Sequence, residues 1–508
     1  MVTILIDGER CEVPDGARLS SLLKNVRSGC AVGIIRPATT EQSATGSLAL
    51  STTAGEVMVE SAAGKADTLS VENTGKLALH WSDRYAAAFG PFSASFTPER
   101  KPHLYERGDV ILGCGGYDPA RSYIIFSKSR HSADHGAATG GGIIGNVVSG
   151  RGVLDRWTTG DRVTKIEPVI SWADTSRSFT TTDLETVAEE GMQVVTYIAI
   201  TAQGYTPGKI TTEAAGSVEH LLLTLQRGEF VVGRATSTHI LDPHRAGTEG
   251  VPHDLRQPRR EGTVTVRTSG KTSGGIYIYR ADVPSSLVHS VVGQVVHGIE
   301  LARIAKEGDR LAVRIEPQRI DLLGLPLAHA QDIARARGIA LSVDKEGDGR
   351  IIVSQEPGTT LDLLFEKAVK VTTAPAEKVI DIELDDEHAP ASCEVFRRFT
   401  GLREHDAGMM PVFFKFEDVV LFKPKIAPGV KITPENPPVD ESPASALAMT
   451  NDSRKGSGLV GVRLSANREF GPTSEPFEGT NIIGRVIDTD KLKKLKERET
   501  IYIRERRK

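Results

Sequence analysis

Short runs of β-branched and aromatic residues, bounded by glycine or polar residues, recur along the whole chain. The run at 143–148 reads Ile-Ile-Gly-Asn-Val-Val, and similar runs occupy 291–296 and 482–487. Runs of this length and composition are typical of strands. Copies this far apart indicate whole domains, because the units of a solenoid are only about 20–50 residues long. The pattern therefore predicts one mainly β fold that is used three times.

The surroundings of each copy repeat as well. A Gly-Asp-Arg tripeptide follows the first two copies, at 160–162 and 308–310, and leads into another strand. The second and third copies begin with a strand and a short helix, for which Ser217 and Ser392 are the predicted N-caps. Because many short strands must hide their edges, this order predicts a closed barrel or a sandwich for each copy.

Residues 1–52 differ from the three copies. They read as two strands, a short helix whose apolar stripe starts at Leu19, and a further strand at 31–35. This ββαβ order resembles a β-grasp domain of the ubiquitin or plant-ferredoxin type. A ferredoxin needs clustered cysteines, whereas this segment has only Cys11 and Cys30, so no iron–sulfur cluster is expected here.

Three connecting segments complete the chain. Thr182 and Glu185 form a capping box before Gly191, which predicts a short connecting helix between the first and second copies. Residues 321–375 read as a helix, two strands and a turn, and they resemble the small PASTA module. The proline-rich stretch 424–457 predicts an extended or disordered loop inside the third copy.

Each copy resembles the cyclophilin-like fold. The resemblance rests on 108–110, 123–126 and 145–147 in the first copy and on 389–396 at the opening of the third. Cyclophilin isomerases carry an arginine in a Phe-His-Arg-type strand, and no copy contains such a strand. The expected fold class is mainly β with α/β additions, and its expected domains are a β-grasp-like domain (1–52), cyclophilin-like module 1 (53–172), a connecting helix with module 2 (173–320), a PASTA-like insert (321–375) and module 3 (376–508).

Composition narrows the functional classes. The net charge of −4 gives no reason to expect nucleic-acid binding. We expect neither a membrane span nor a signal peptide, because the chain has no apolar run long enough to cross a membrane and residues 1–6 read as a strand. Its four cysteines are scattered without a CxxC pair, so neither a disulfide framework nor a protein-only zinc site is expected. A reduced cytoplasmic location is the resulting expectation.

Few residues suggest chemistry. His131, Asp134 and His135 have the spacing of metal ligands on one helix face, but the glycines that follow favour a surface loop. Cys30 is the thiol to test for reactivity, against the alternative of a small buried apolar residue. We therefore predict no catalytic, cofactor-binding or metal residues, and these four are only weak candidates.

Two other patterns favour ordinary structure. The glycines at 140–145 match GxGxxG, but a polar loop precedes them and a strand-like run follows, whereas a dinucleotide site needs strand, turn and helix. His239, His244 and His253 are scattered through a loop predicted at 235–261 and show no metal spacing.

Across nearly its full length the chain resembles the methanogenesis marker protein 3 family. The residues that carry this are Ile6-Asp7-Gly8, the stretches 181–184 and 190–193, 217–220 and the repeats. The resemblance implies a cytoplasmic protein associated with activation of methyl-coenzyme M reductase. It implies as partners the reductase, an ABC-type ATPase and iron–sulfur marker proteins, so that ATP, iron–sulfur clusters and the nickel cofactor F430 belong to the partners and none is bound by this chain alone.

Three functional hypotheses follow. The first is a non-enzymatic scaffold subunit of that assembly, with several barrel surfaces for partners. The second is peptidyl-prolyl isomerase-like activity in one module. The third is electron transfer by the β-grasp-like domain with help from Cys30.

Overall fold

The computed structural model describes residues 1–24, 26–36, 47–62, 77–169, 178–248, 250–426, 429–453 and 458–506. They belong to two compact units, Met1–Arg319 and Ile320–Lys508. None of the helices in these ranges is long and apolar enough to cross a membrane.

The first unit contains a small sheet and two larger β modules. It begins with β1 (Val2–Ile6), β2 (Glu9–Val13), the one-turn helix α1 (Leu19–Leu22) and β3 (Val32–Ile35). Module 1 consists of β4 (Ser47–Thr52), β5 (Gly55–Ser61), β6 (Leu79–Ser82), β7 (Ala86–Phe92), β8 (His103–Tyr105), β9 (Asp109–Cys114), β10 (Ser122–Ser127), β11 (His131–Ala133), β12 (Ile143–Ser149), α2 (Arg151–Leu154) and β13 (Val163–Val169). Then come β14 (Phe179–Thr181) and β15 (Gln193–Val195). Module 2 consists of β16 (Ile198–Ala202), β17 (Tyr205–Thr206), β18 (Lys209–Ile210), α3 (Ala215–Leu225), β19 (Glu229–Val231), β20 (Arg234–Ala235), β21 (His239–Asp242), β22 (Thr263–Arg267), β23 (Ile276–Tyr279), β24 (His289–His297), α4 (Ile299–Ile304) and β25 (Arg310–Glu316).

The second unit contains a small α/β insert and a barrel. The insert consists of α5 (Leu327–Ala336), β26 (Ala340–Val343), β27 (Arg350–Glu356), α6 (Thr360–Glu366) and β28 (Ala368–Pro375). Module 3 consists of β29 (Val379–Leu384), α7 (Pro390–Thr400), β30 (Ala407–Phe416), β31 (Val419–Phe422), β32 (Ala446–Thr450), β33 (Val460–Arg463), β34 (Thr480–Val486), α8 (Thr489–Lys493) and β35 (Thr500–Glu505).

The first sheet is assembled from both sides of module 1. Its order is β14-β3-β15-β1-β2, and β1 pairs with β15 in parallel. Module 1 is therefore inserted between β3 and β14. The sequence pattern predicts that this domain ends at residue 52. The sheet also contains residues 179–181 and 193–195, which follow module 1 in the chain. Part of the predicted connecting segment, 173–177, lies outside the described residues.

The connecting helix predicted around Thr182 does not form, and turns occupy 182–192 instead. The backbone of this segment bonds to the chain around α1: Leu19 N donates to Thr186 O at 3.0 Å, and Ala188 N donates to Ala17 O at 2.8 Å. A helix would have to give up these partners, and buried backbone groups without partners are costly. Tertiary pairing therefore outweighs the local capping signal.

Modules 2 and 3 share one strand order. Module 3 is a closed barrel, β29-β34-β32-β33-β31-β30-β35, in which β29 and β35 are parallel. Module 2 has the matching order β25-β16-β24-β22-β23-β21, with β16 and β25 parallel. Where module 3 has the single strand β30, module 2 divides it into β19 at one edge and β20 at the other.

Module 1 is a variant of this arrangement. Its order is β13-β4-β5-β12-β9-β10-β7-β6. The antiparallel hairpin β4–β5 stands where the other two modules have one strand and a long helix. The two edges of the module 1 sheet, β6 and β13, meet, because Leu79 N donates to Asp161 O at 2.8 Å. The interior is closed by Phe89, Phe126 and Trp157, whose rings meet edge to face at centroid distances of 4.8–5.8 Å.

The repeated sequence motif encodes a β-bulge. In each module the strand slips by one residue immediately before the motif glycine, so that Ile144, Val292 and Ile483 are left out of the ladder and buried. A Cβ at Gly145 would lie 2.5 Å from the carbonyl oxygen of Glu60. The bulge thus explains both the glycine and the apolar residue before it.

The helices predicted at the openings of modules 2 and 3 are present as α3 and α7, but the predicted serine caps are wrong. Ser217 and Ser392 lie inside the first turn. Their backbone N–H groups donate to carboxylates from distant loops, to Asp254 at 2.7 Å and to Glu435 at 2.8 Å. A negative charge at a helix N-terminus is favourable, and the same device recurs in both modules.

The proline-rich stretch is more ordered than its composition predicts. Residues 446–450 form β32, which is a strand of the barrel wall and pairs with β33 and β34. Ile432 is buried in the barrel core. Residues 427–428 and 454–457 lie outside the described part. In the insert, α5, β26 and β27 are the predicted helix and two strands, and β28 is a central strand that the sequence pattern does not predict.

Candidate functional site

The first sheet, module 1 and module 2 meet at one ionic group. Asp7 follows β1, Glu56 lies on β5 and His297 ends β24. The imidazole Nε2 of His297 lies 3.4 Å from Asp7 Oδ1, and its Nδ1 lies 3.7 Å from Glu56 Oε2. Asp7 also accepts a hydrogen bond from Thr196 N at 2.7 Å. One histidine therefore links two carboxylates from different domains.

This environment favours the charged form of the imidazole. Burial opposes the charge, but the hydrogen bonds to Asp7 and Glu56 outweigh it and raise the pKa of His297 to about 9. Burial also acts against the Asp7 carboxylate, yet its bonds to His297 and Thr196 lower its pKa. The ring of Tyr197 lies against the imidazole at a centroid distance of 4.8 Å.

The cavity beside this group is too small for an organic ligand. Its volume is about 30 Å³, and Gly8, Glu56 and His297 contribute to its walls. Such a volume holds one or two waters. Nearby, Ser149 Oγ donates to Glu300 Oε1 at 2.6 Å, and Arg303 Nη2 donates to Val148 O at 3.1 Å, so further bonds join modules 1 and 2. The junction therefore joins domains, and its cavity has room for water alone.

The candidate metal ligands are only partly brought together. His131 and His135 lie on and after strand β11, not on a helix, and their Nε2 atoms are 3.1 Å apart. Asp134 turns elsewhere: its Oδ2 accepts from the Tyr117 hydroxyl at 2.7 Å and its Oδ1 from Gly136 N at 3.0 Å. Within the described ranges no three His, Cys, Asp or Glu side chains are grouped as metal ligands.

The two histidines line an open cavity of about 460 Å³ on module 1, together with Trp81 and Tyr85. Burial lowers the pKa of His135 to about 4, and the neighbouring His131 acts in the same direction. His135 is therefore neutral near pH 7. A neutral, half-enclosed imidazole beside aromatic rings can bind by stacking or by hydrogen bonding.

Cys30 lies in an environment that suppresses its reactivity. It is buried, and burial followed by the charge of Glu229 raises the pKa of its thiol. Since the thiolate is the reactive form, this geometry favours the inert alternative. The four cysteines are free.

The GxGxxG stretch does not have the structure of a dinucleotide site. It runs through a turn into β12, with positive φ at Gly140, Gly141 and Gly142, and no helix follows the turn directly.

Module 3 exposes an apolar surface that the sequence reading missed. Four side chains of β30, which we call the aromatic ridge, are 44–59% exposed: Met409, Phe413, Phe414 and Phe416. A bulge between β30 and β31 at Phe413 lets Phe413 and Phe414 both face outward. Lys423 Nζ lies 5.2 Å from the centre of the Phe413 ring. The available signal was the strand Ala407–Phe416, whose outward positions are apolar.

Comparison with known proteins places the chain in a family. The UPF0288 protein of Methanosarcina barkeri is 37% identical over 99% of this chain and 98% of its own length. The chain belongs to the UPF0288 family. UPF0288 proteins of Methanothermobacter thermautotrophicus and Methanopyrus kandleri are 32% and 31% identical, each over 99% of this chain and 98% and 99% of the relative.

Within this UPF0288 chain, a family profile described as "Putative peptidyl-prolyl cis-trans isomerase domain" matches residues 380–506, which fall within module 3. Among solved structures, cyclophilin AquaCyp293 from Hirschia baltica matches 30% of this chain and 83% of its own, at 12% identity and a TM-score of 0.20. The Mimivirus cyclophilin matches 30% and 96%, at 12% identity and a TM-score of 0.17.

Proposed function

We propose that this protein is a cytoplasmic, non-catalytic scaffold subunit of the ATP-dependent assembly that reductively activates methyl-coenzyme M reductase in methanogenic archaea. The observation that carries the proposal is the aromatic ridge. Exposed, contiguous large apolar side chains are typical of surfaces that bind other proteins. The full-length relatives from methanogens support the metabolic context.

The ridge indicates the chemistry of its partner. Three phenylalanines and one methionine would fill an apolar groove. Lys423 lies over one ring, and Lys415 lies within the same strand, with its ammonium on the carbonyl oxygens of Lys493 and Leu495. A partner groove with acidic residues at its rim would complement this surface. In this proposal the iron–sulfur clusters, ATP and F430 belong to the partners.

The junction of the first unit supports a holding role. Asp7, Glu56 and His297 join three domains through one charged group. A subunit that positions partners benefits from domains held in a fixed arrangement, because less entropy is then lost on binding.

Affinity purification from a methanogen tests the proposal. The tagged full-length chain is expected to recover the reductase, the ABC-type ATPase and the iron–sulfur marker proteins. The triple substitution Phe413→Ser, Phe414→Ser, Phe416→Ser is expected to lose most of that recovery while the protein stays folded. Phe365→Ser is the matched control, because Phe365 is equally exposed but lies on α6 of the insert.

Two results would count against a scaffold role. One is recovery of none of those proteins by the unaltered chain. The other is a triple variant that recovers them in full. Measured acceleration of prolyl isomerisation in a peptide by the purified chain would favour the enzymatic alternative instead.

A further inference from the structure

Module 2 carries a positively charged pocket that is separate from the aromatic ridge. The pocket has a volume of about 350 Å³ and opens beside β21, β22 and β23. Three arginines line it, Arg234, Arg259 and Arg267, together with two tyrosines and two histidines. No carboxylate belongs to its lining among the described residues. Three guanidinium groups around one concave site, with no carboxylate in the described part of its lining, create a strong positive potential.

The positive potential also lowers the pKa values of the two histidines in the pocket. Burial, followed by the charges of Arg259 and Arg267, lowers the pKa of His289 to about 3. Burial and then Arg234 and Arg259 lower the pKa of His239. The titratable side chains that lower the pKa values of these two imidazoles are arginines and histidines. The charges of the three arginines in the lining therefore act on both imidazoles in addition to burial.

One arginine is held in place before any ligand arrives. Arg259 Nε and Nη2 donate to the carbonyl oxygen of Pro284 at 2.9 and 2.6 Å, and Nη1 donates to the Tyr279 hydroxyl at 2.6 Å. Its guanidinium also lies 4.9 Å from the centre of the Tyr279 ring. Arg267 is tied through Nε to Ser269 O at 2.8 Å, which leaves its two terminal nitrogens to point at a ligand.

The floor of the pocket is aromatic. The ring of Tyr277 meets those of His239 and His289 at centroid distances of 5.2 and 4.7 Å. The Tyr277 hydroxyl is bonded to Thr272 Oγ1 at 3.0 Å, and Tyr277 and Tyr279 are almost fully buried, so each contributes a small apolar area to the pocket wall. Guanidinium groups above aromatic rings suit a ligand that has an oxyanion at one end and a flat or apolar part at the other.

We infer that this pocket binds a small organic phosphate, with Arg234, Arg259 and Arg267 on the phosphate and Tyr277 and Tyr279 against its apolar part. A phosphate offers several acceptor oxygens to arginine forks, which a point-like anion does not. The volume of about 350 Å³ fits a molecule of roughly the size of a single aromatic phosphate. The inference does not depend on the scaffold role.

Calorimetry on the full-length chain tests this with phenyl phosphate, inorganic phosphate and phenol as probes. Phenyl phosphate is expected to bind at least about tenfold more tightly than inorganic phosphate, and phenol is expected to bind weakest, because only the first probe satisfies both ends of the pocket. The double variant Arg234→Gln, Arg267→Gln should lose phenyl phosphate affinity by about tenfold or more. Arg256→Gln is the control for a lost surface charge, because Arg256 is exposed and does not line the pocket.

Three outcomes would overturn the inference. Phenyl phosphate could show no saturable binding, the double variant could bind as tightly as the unaltered chain, or the control could lose as much affinity as the double variant. A glutamate-rich peptide that binds while phenyl phosphate does not would equally reject a small phosphate and indicate an acidic protein segment instead.

Discussion

His297 and Asp7 form a hydrogen-bonded pair, Nε2 to Oδ1 at 3.4 Å, although 290 positions separate them in the chain. The pair joins the last residue of β24 in module 2 to the turn after β1. Glu56 of module 1 completes the group at 3.7 Å. The stability of the first unit therefore depends on the charge of one imidazole.

Stability of the first unit is expected to fall as pH rises from about 6.5 to about 9. The folded-state pKa of His297, about 9, lies above the ordinary value of 6.5, so the folded protein binds the extra proton across this window. The contribution is complete below pH 6.5, is lost as pH rises through 9, and amounts to at most ~3 kcal/mol. The lowered pKa of Asp7 acts only at acidic pH.

Urea unfolding followed by tryptophan fluorescence measures this, since Trp81 and Trp157 lie in the first unit. His297→Gln should flatten the slope between pH 6.5 and 9. His253→Gln, an exposed histidine in the same unit, should leave it unchanged. An identical slope in His297→Gln would show that the junction does not hold this proton.

Replacement of the bulge glycine is expected to destabilise the barrel. Gly484 has a φ of +151°, and a Cβ there would overlap the carbonyl oxygen of Glu383 on β29. Gly484→Ala should therefore lose about 1–3 kcal/mol of unfolding free energy, measured by circular dichroism on the full chain. Gly358→Ala is the control, because a Cβ there meets nothing within 4 Å and its φ is not strained. Equal stability of the two variants would contradict the steric explanation.

Arg498→Gly is expected to stabilise the second unit by about 1 kcal/mol. Arg498 has a φ of +65°, where modules 1 and 2 have Gly160 and Gly308 at +104° and +94°. The turn is otherwise shared: Glu499 Oε1 accepts from Lys496 N at 2.7 Å. Arg498→Ala serves as the comparison, since it removes the side chain but keeps the unfavourable φ. A gain in stability for alanine as large as for glycine would mean that charge, not backbone conformation, is responsible.

Alkylation of the folded protein should be fastest at Cys11. Its side chain is partly exposed, whereas Cys30, Cys114 and Cys393 are buried. Burial raises the pKa of Cys30 and Cys114, and that of Cys393 to about 12. Peptide mass spectrometry after brief treatment with iodoacetamide at pH 7.5 reads out each site, with urea-unfolded protein as the reference. If Cys30 were labelled as rapidly as Cys11, the result would support the hypothesis that Cys30 takes part in electron transfer.

The repeated motifs were predictable because local chemistry creates them. The glycine at 145, 293 and 484 is required wherever a strand bulges against its neighbour, so the sequence pattern and the bulge coincide. The strand β32 was missed for the opposite reason. Prolines on its N-terminal side, including Pro438 and Pro443, dominate the composition of the stretch, while the strand itself is set by pairing with β33 and β34.

The pocket on module 2 could not be read from spacing. Arg234, Arg259 and Arg267 come from separate elements, and only the strand order brings them together. His239 is one of three scattered histidines whose spacing predicts no site. His289 lies at the start of β24, and no neighbouring residue in the sequence indicates that it lines a pocket.

For His131, Asp134 and His135, spacing predicts a site that the structure does not assemble. The spacing predicts one helix face, whereas the segment begins with the strand β11, and the Asp134 carboxylate bonds to Tyr117 and not to the imidazoles.

The insertion of module 1 also fixes an order of events during synthesis. Strands β14 and β15 leave the ribosome only after the whole of module 1, yet the amino-terminal strands cannot complete their sheet without them. Module 1 has its own core and can fold while the earlier strands wait. The beginning of the polypeptide therefore reaches its native state only after module 1 has been made, so a nascent chain halted before residue 195 would display an unfinished sheet edge.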